Sequence, residues 1–201
     1  MSATGTFHRY MTEAEEKLLF STVKQTAGIY AERDHAWMRL LRATGIRVGA
    51  LSQLTCHHAR QALATGHLQL GADIQKGEVA HTLFVTKAAN KALRDLLRLR
   101  KTMGHGELPD APLILSRNHN GLSIRSFQSR LQMWRGKAGL ISDVTPHWFR
   151  HTVAKRIMKN STAQDPRGVV QGVLGHKSSR STSIYTQPDK EDVEDAMRQV
   201  C

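Results

Sequence analysis

Helix punctuation is the feature that most limits what this chain can fold into. Twice an N-capping residue stands directly before a proline, at Thr145-Pro146 and Asp165-Pro166. Proline is favoured at the first helical position, where its missing N–H costs nothing. The same grammar recurs upstream. Thr12 with Glu15 reads as a capping box opening a helix that carries Leu18, Leu19 and Val23 on one face. A second helix is expected from about Glu32 to Ala43, ending near Gly45, and a short one carries Arg47, Leu51 and Leu54. Another runs from about Ala88 to Lys101, and Ser123 caps one with Ile124, Phe127, Leu131 and Trp134 on a single stripe. The Pro146 helix bears His147 and Arg150, and the Pro166 helix bears Val169, Val170 and Val173. An acidic terminal helix is expected from about Lys190 to Gln199.

The period changes only between His67 and Thr86. Leu68 and Leu70, then Val79, Leu83 and Val85, read as two strands flanking a Gln75-Lys76-Gly77-Glu78 turn. The expected fold class is therefore mainly α with a small antiparallel β-sheet. With 201 residues and no internal repeat, low-complexity tract or long linker, one domain is expected.

Charge narrows the partners. Lys and Arg outnumber Asp and Glu by 29 to 17, a net charge of +12, which points to a polyanion. No apolar run approaches membrane-spanning length, and residues 1–9 lack the apolar stretch of a signal peptide, so a cytoplasmic protein without a membrane partner is expected. Cys56 and Cys201 have no metal-type spacing and read as free thiols, and Cys56-His57-His58 reads as a polar surface turn, not a metal site. Lys87, Lys91, Arg94, Arg98 and Lys101 form a basic stripe, read mainly as a solvated face, with Lys87 a candidate for touching phosphate.

Four stretches combine side chains suited to grip and attack a phosphodiester. They are Thr44-Gly45-Ile46-Arg47, the hairpin with Lys76, the run from Pro146 to Thr152, and Leu174-Gly175-His176 with Tyr185 nine residues later. Charge builds on the equatorial oxygens of a phosphoryl group in transfer, and planar guanidinium groups hold such oxygens with paired hydrogen bonds. Arg47 and Arg150 suit that role. His147 and Arg150, three residues apart on a helix, share a face, and His176 adds a donor. A tyrosine, with an ordinary pKa of about 10, needs positive surroundings and a base to attack at neutral pH. A lysine on a hairpin turn can protonate the leaving oxygen, which makes Lys76 the candidate general acid.

In their order and spacing these motifs resemble the catalytic domain of the tyrosine recombinases, or phage integrase family, from about Thr12 to Gln187. The resemblance implies that fold, with Tyr185 as nucleophile, His147 as base, a 3′-phosphotyrosyl intermediate, and strand exchange through a Holliday junction by a homotetramer on double-stranded DNA. No cofactor, metal or ATP is implied, because the phosphotyrosyl bond conserves the energy of the broken diester. A helix at the position of the Ser123 helix approaches the DNA groove in the family. Arg125, Gln128, Gln132 and Arg135 are accordingly candidate base readers.

Residues 1–11 read as an N-terminal extension and 188–201 as a tail that couples protomers, with weak self-association without DNA. The chain departs from the family in two ways. Arg47 comes too early for an N-terminal core-binding domain, as in the short fimbrial DNA invertases or in an isolated catalytic fragment. Ala50 stands where relatives often carry an acidic residue. Two other functions compete: a DNA-binding regulator that keeps the fold, and a type IB topoisomerase-like relaxer. The full set of six candidate residues and the Leu-Gly-His box favour a recombinase.

Overall fold

The computed structural model describes residues 10–74, 80–175, 194, 196–198 and 200. Among them the order is α1 (Glu13–Gln25), α2 (Ile29–Thr44), α3 (Val48–Ser52), α4 (Cys56–Thr65), β1 (His67–Leu70), a 3-10 turn (Ala72–Ile74), β2 (His81–Phe84), α5 (Lys87–Thr102), α6 (Ile124–Lys137), α7 (Pro146–Asn160) and α8 (Pro166–Leu174). The mainly helical class with a small antiparallel sheet is what the patterning predicts.

Helix α2 is the central element. Ala36, Trp37, Met38, Leu40 and Leu41 are buried along it, and it packs most extensively on α5, then on α7 and α1. Trp37 meets Phe127 of α6 edge-on, with ring centroids 5.1 Å apart. A smaller cluster of Val153, Ala154, Val170 and Leu174 joins α7 to α8. Burying such a side chain stabilises by roughly 1.5–3 kcal/mol for the larger ones. The end of α8 thus has few apolar anchors, and polar contacts there carry more of its placement.

Asp34, with a fully buried side chain, ties α2 to α6. Its Oδ1 accepts from Arg33 Nη2 at 2.7 Å, Arg33 Nε at 3.0 Å and Trp37 Nε1 at 3.0 Å. Its Oδ2 accepts from Arg130 Nε at 2.6 Å and Trp134 Nε1 at 2.8 Å. Arg33 also donates through Nη1 to the Leu115 carbonyl at 2.7 Å, which adds the segment before α6. A buried carboxylate needs this many donors to offset its lost hydration.

Several expectations are corrected. Cys56-His57-His58 is the first turn of α4 and not a surface turn: Thr55 is the N-cap, and Cys56 is fully buried. His58 Nδ1 accepts the Thr55 N–H at 3.1 Å, taking the place that Glu or Gln holds in a capping box. Burial lowers the His58 pKa, which suits a ring nitrogen that must accept. Burial likewise raises that of the Cys56 thiol. Arg47 is the N-cap of α3 and lies just outside the helix.

Strand pairing runs from His67 opposite Phe84 to Leu70 opposite His81. The connection is therefore residues 71–80, longer than the four-residue turn expected, and Gln75 to Val79 lie outside the described residues. Lys87 opens α5 after the Thr86 N-cap, one residue before the start expected at Ala88. Leu18 and Ile124, assigned by spacing to apolar stripes, are 46% and 44% exposed. Of the terminal helix, Glu194 and residues 196–198 are helical, and the rest lies outside the described residues.

Candidate active site

Of the six residues expected to carry the chemistry, Arg47, His147 and Arg150 are described, whereas Lys76, His176 and Tyr185 lie outside the described residues. Arg150 organises what is described. It is 2% exposed on the inner face of α7. Its Nη1 donates to the Gly45 carbonyl at 2.8 Å and its Nη2 to the Leu174 carbonyl at 2.6 Å.

Both acceptors lie at helix C-termini, of α2 and α8, where carbonyls lack intrahelical partners and partial negative charge collects. One guanidinium thus joins three motifs: its own helix, the turn two residues before Arg47, and the segment two residues before His176.

Glycines make the approach possible. Gly45 has φ +64, and a Cβ there would come within 2.9 Å of Leu174 Cδ2 and 3.3 Å of Val153 Cβ. Thr44 Oγ1 donates to Leu40 O at 2.7 Å and closes the helix before the turn. Arg47 follows at φ −70, ψ 144, partly exposed, as the chain extends into α3. Ala50, where an acidic residue is common in the family, packs in the core at 2% exposure.

His147 is exposed in the first turn of α7, its ring edge-on to that of His151 at 5.2 Å between centroids. His151, its neighbour one turn on, is only 6% exposed, so His147 is the more accessible of the two. Thr152 Oγ1 donates to Trp148 O at 2.8 Å and accepts the Met11 N–H at 3.0 Å, which pins the segment before α1 to α7.

The candidate base readers are on α6. Arg125, Gln128 and Gln132 are exposed, while Arg135 is partly covered and ion-paired with Asp143. Arg125 shares an open polar cleft with Tyr30, Arg33, Arg117 and Arg130. Arg117 was not singled out from the sequence, because its nearness to α6 depends on the fold. Lys87 is exposed at the start of α5. The basic stripe there is largely a solvated face: Arg94 bonds Asn90, and Arg98 pairs with Glu32 and Asp95.

Sequence reasoning also missed His81. Its Nε2 is 3.0 Å from the Val173 carbonyl. Among the described residues no group of three or more His, Cys, Asp or Glu is placed to hold a metal ion, and no helix is long and apolar enough to cross a membrane.

The family model described as the phage integrase family matches residues 9–192. Over 159 residues the chain is 35% identical to tyrosine recombinase XerC of Pseudomonas putida (strain W619), covering 79% of this chain and 49% of that protein. The chain spans about half the length of the curated relatives it matches first. Among solved structures, XerA recombinase superposes with a TM-score of 0.75 at 25% identity, covering 94% of this chain and 64% of that one. The Tn1549 transposon integrase in complex with circular intermediate DNA gives 0.72 at 15% identity, covering 96% and 67%.

Proposed function

The chain belongs to the phage integrase family, and from that premise we propose that it is a site-specific recombinase that cuts and rejoins DNA through a covalent tyrosine intermediate. The observation that carries the proposal is the Arg150 guanidinium. By holding the Gly45 and Leu174 carbonyls at 2.8 and 2.6 Å, it gathers the segments leading to Arg47 and His176 around the helix that bears His147.

In the proposed reaction Arg47, Arg150 and His176 hold the scissile phosphate and stabilise its equatorial oxygens as charge builds. Tyr185 Oη attacks phosphorus as His147 takes its proton, and the P–O5′ bond breaks as Lys76 gives a proton to O5′. A 3′-phosphotyrosyl bond and a 5′ hydroxyl result. Attack by a 5′ hydroxyl of another strand reverses the step and yields a Holliday junction. The energy of the broken diester is conserved in the protein–DNA bond, so the cycle needs neither ATP nor metal.

The proposed substrate is double-stranded DNA in the cytoplasm, read by Arg125, Gln128, Gln132 and Arg135 and gripped at phosphate by Lys87. Exchange needs paired sites and hence a homotetramer, with the segment 188–201 coupling protomers. Exposed Met197 and Val200 in that segment, 61% and 80% accessible, supply apolar surface for a neighbour.

The test is a nicked suicide duplex carrying the chain's own site, selected by binding from random duplexes. A covalent adduct that is lost in Tyr185→Phe is expected. No adduct on a bound site would assign the chain to DNA-binding regulators, and adducts with relaxation but no strand exchange would assign it to topoisomerase-like relaxers.

A further inference from the structure

His81 and the end of α8 are 92 residues apart in sequence, yet they meet twice. The partly buried His81 opens β2, and its Nε2 lies 3.0 Å from the Val173 carbonyl. A carbonyl only accepts, so this nitrogen carries hydrogen and donates. The ring also lies against Gly175: a Cβ at that position would come within 2.8 Å of His81 Cγ, 2.9 Å of Nδ1 and 3.0 Å of Cδ2. Gly175 has φ +62 as well, so both its conformation and its bare Cα are needed for the ring to sit there.

Two side chains therefore grip adjacent carbonyls at the end of α8. His81 takes Val173 O, and Arg150 takes Leu174 O. The next residue after Gly175 is His176. On the other side, His81 forms the last cross-strand pair with Leu70, at the mouth of the connection over residues 71–80 that includes Lys76. A two-stranded ribbon is marginal by itself. Its end beside that connection is docked on the same helix end that Arg150 holds.

We propose that His81 is a positioning residue for the leaving-group step: it fixes the base of the connection carrying Lys76 against the end of α8 that Arg150 holds. The inference rests on Lys76 as the general acid. In that step Tyr185 Oη–P forms, P–O5′ breaks, and the Lys76 ammonium proton passes to O5′. If sulfur replaces the bridging 5′ oxygen, the leaving group departs as a thiolate and needs no proton, since thiols ionise near pH 8.5.

Single-turnover cleavage of the oxygen and sulfur duplexes by the full chain separates the possibilities. His81→Ala is expected to slow cleavage of the oxygen substrate about 10–100-fold, short of the roughly 100–10,000-fold that a general acid itself contributes, and to cut the sulfur substrate at close to the wild-type rate. His81→Gln, whose amide keeps a donor near Nε2, should retain most activity on oxygen. Lys76→Ala is the control and should be rescued by sulfur. If His81→Ala does not fold, His81→Asn, whose shorter amide cannot reach Val173 O, replaces it.

Rescue of Lys76→Ala without rescue of the His81 variant would overturn the role of His81 alone, as would wild-type rates on oxygen. Failure of sulfur to rescue Lys76→Ala would overturn the assignment of Lys76 and with it the step that His81 serves.

Discussion

Arg150 supports structure and the proposed chemistry with the same guanidinium. Truncating it leaves two buried carbonyls, at Gly45 and Leu174, without those donors. Each unsatisfied buried group costs about 1–3 kcal/mol, so Arg150→Ala should lose about 2–6 kcal/mol in chemical denaturation as well as adduct formation. His35 gives a pH signature. Burial lowers its pKa to about 4, helped by Arg39 and Lys24 and opposed by Asp95. Unfolded, the imidazole titrates near 6.5. Between pH 6.5 and about 4 the unfolded chain binds a proton that the folded one does not, so this contribution to stability is full above 6.5 and is lost as pH falls towards 4. Thermal unfolding followed across that window should show a shallower acid decline in His35→Gln than in the wild type.

At the scale of elements, α6 is placed by its apolar stripe, of which Phe127, Leu131 and Trp134 are buried, and by Asp34. Arg130 and Trp134 of α6 reach back to that carboxylate, and Arg33 connects it to the Leu115 segment. A buried ion pair adds little net stability over an apolar substitute, but removing one partner strands the other and costs about 3–5 kcal/mol. Asp34→Asn is expected to lose that amount in denaturation and to weaken discrimination between the chain's own site and unrelated duplex in competition binding. Gln128→Ala and Gln132→Ala, on the exposed face, should leave the fold's stability within about 0.5 kcal/mol. Each should lower discrimination by about 1–3 kcal/mol where it reads a base edge.

Across the whole molecule, internal ion pairs sharpen the charge imbalance. Glu16 pairs with Arg42 and Arg156, Asp95 with Arg39 and Arg98, and Glu107 with Arg60. The net charge of +12 is left over, less the buried Arg100 and Arg150, which are bonded to backbone carbonyls. If six or more phosphates are neutralised on binding, affinity for duplex should fall about a thousandfold or more between 50 and 200 mM salt, measurable by titration at several salt concentrations. A flat salt dependence would speak against a phosphate-dominated interface. Local chemistry was readable from the sequence alone. The starts at Thr12, Ser123, Pro146 and Pro166 came through, because a cap acts within one turn. So did membership of the phage integrase family, which the order of the motifs suggested. Helix α4 was missed because a histidine, His58, does the capping work of a carboxylate, and the true span of the hairpin connection because register is set by the facing strand. The convergence of Gly45, Arg150 and Leu174, the docking of His81 on α8 and the Asp34 anchor join residues 105, 24, 92 and 96 positions apart. Such contacts leave no local periodicity. Only the packing of α7 and α8 against α2, and of α6 across it, brings those donors to their acceptors.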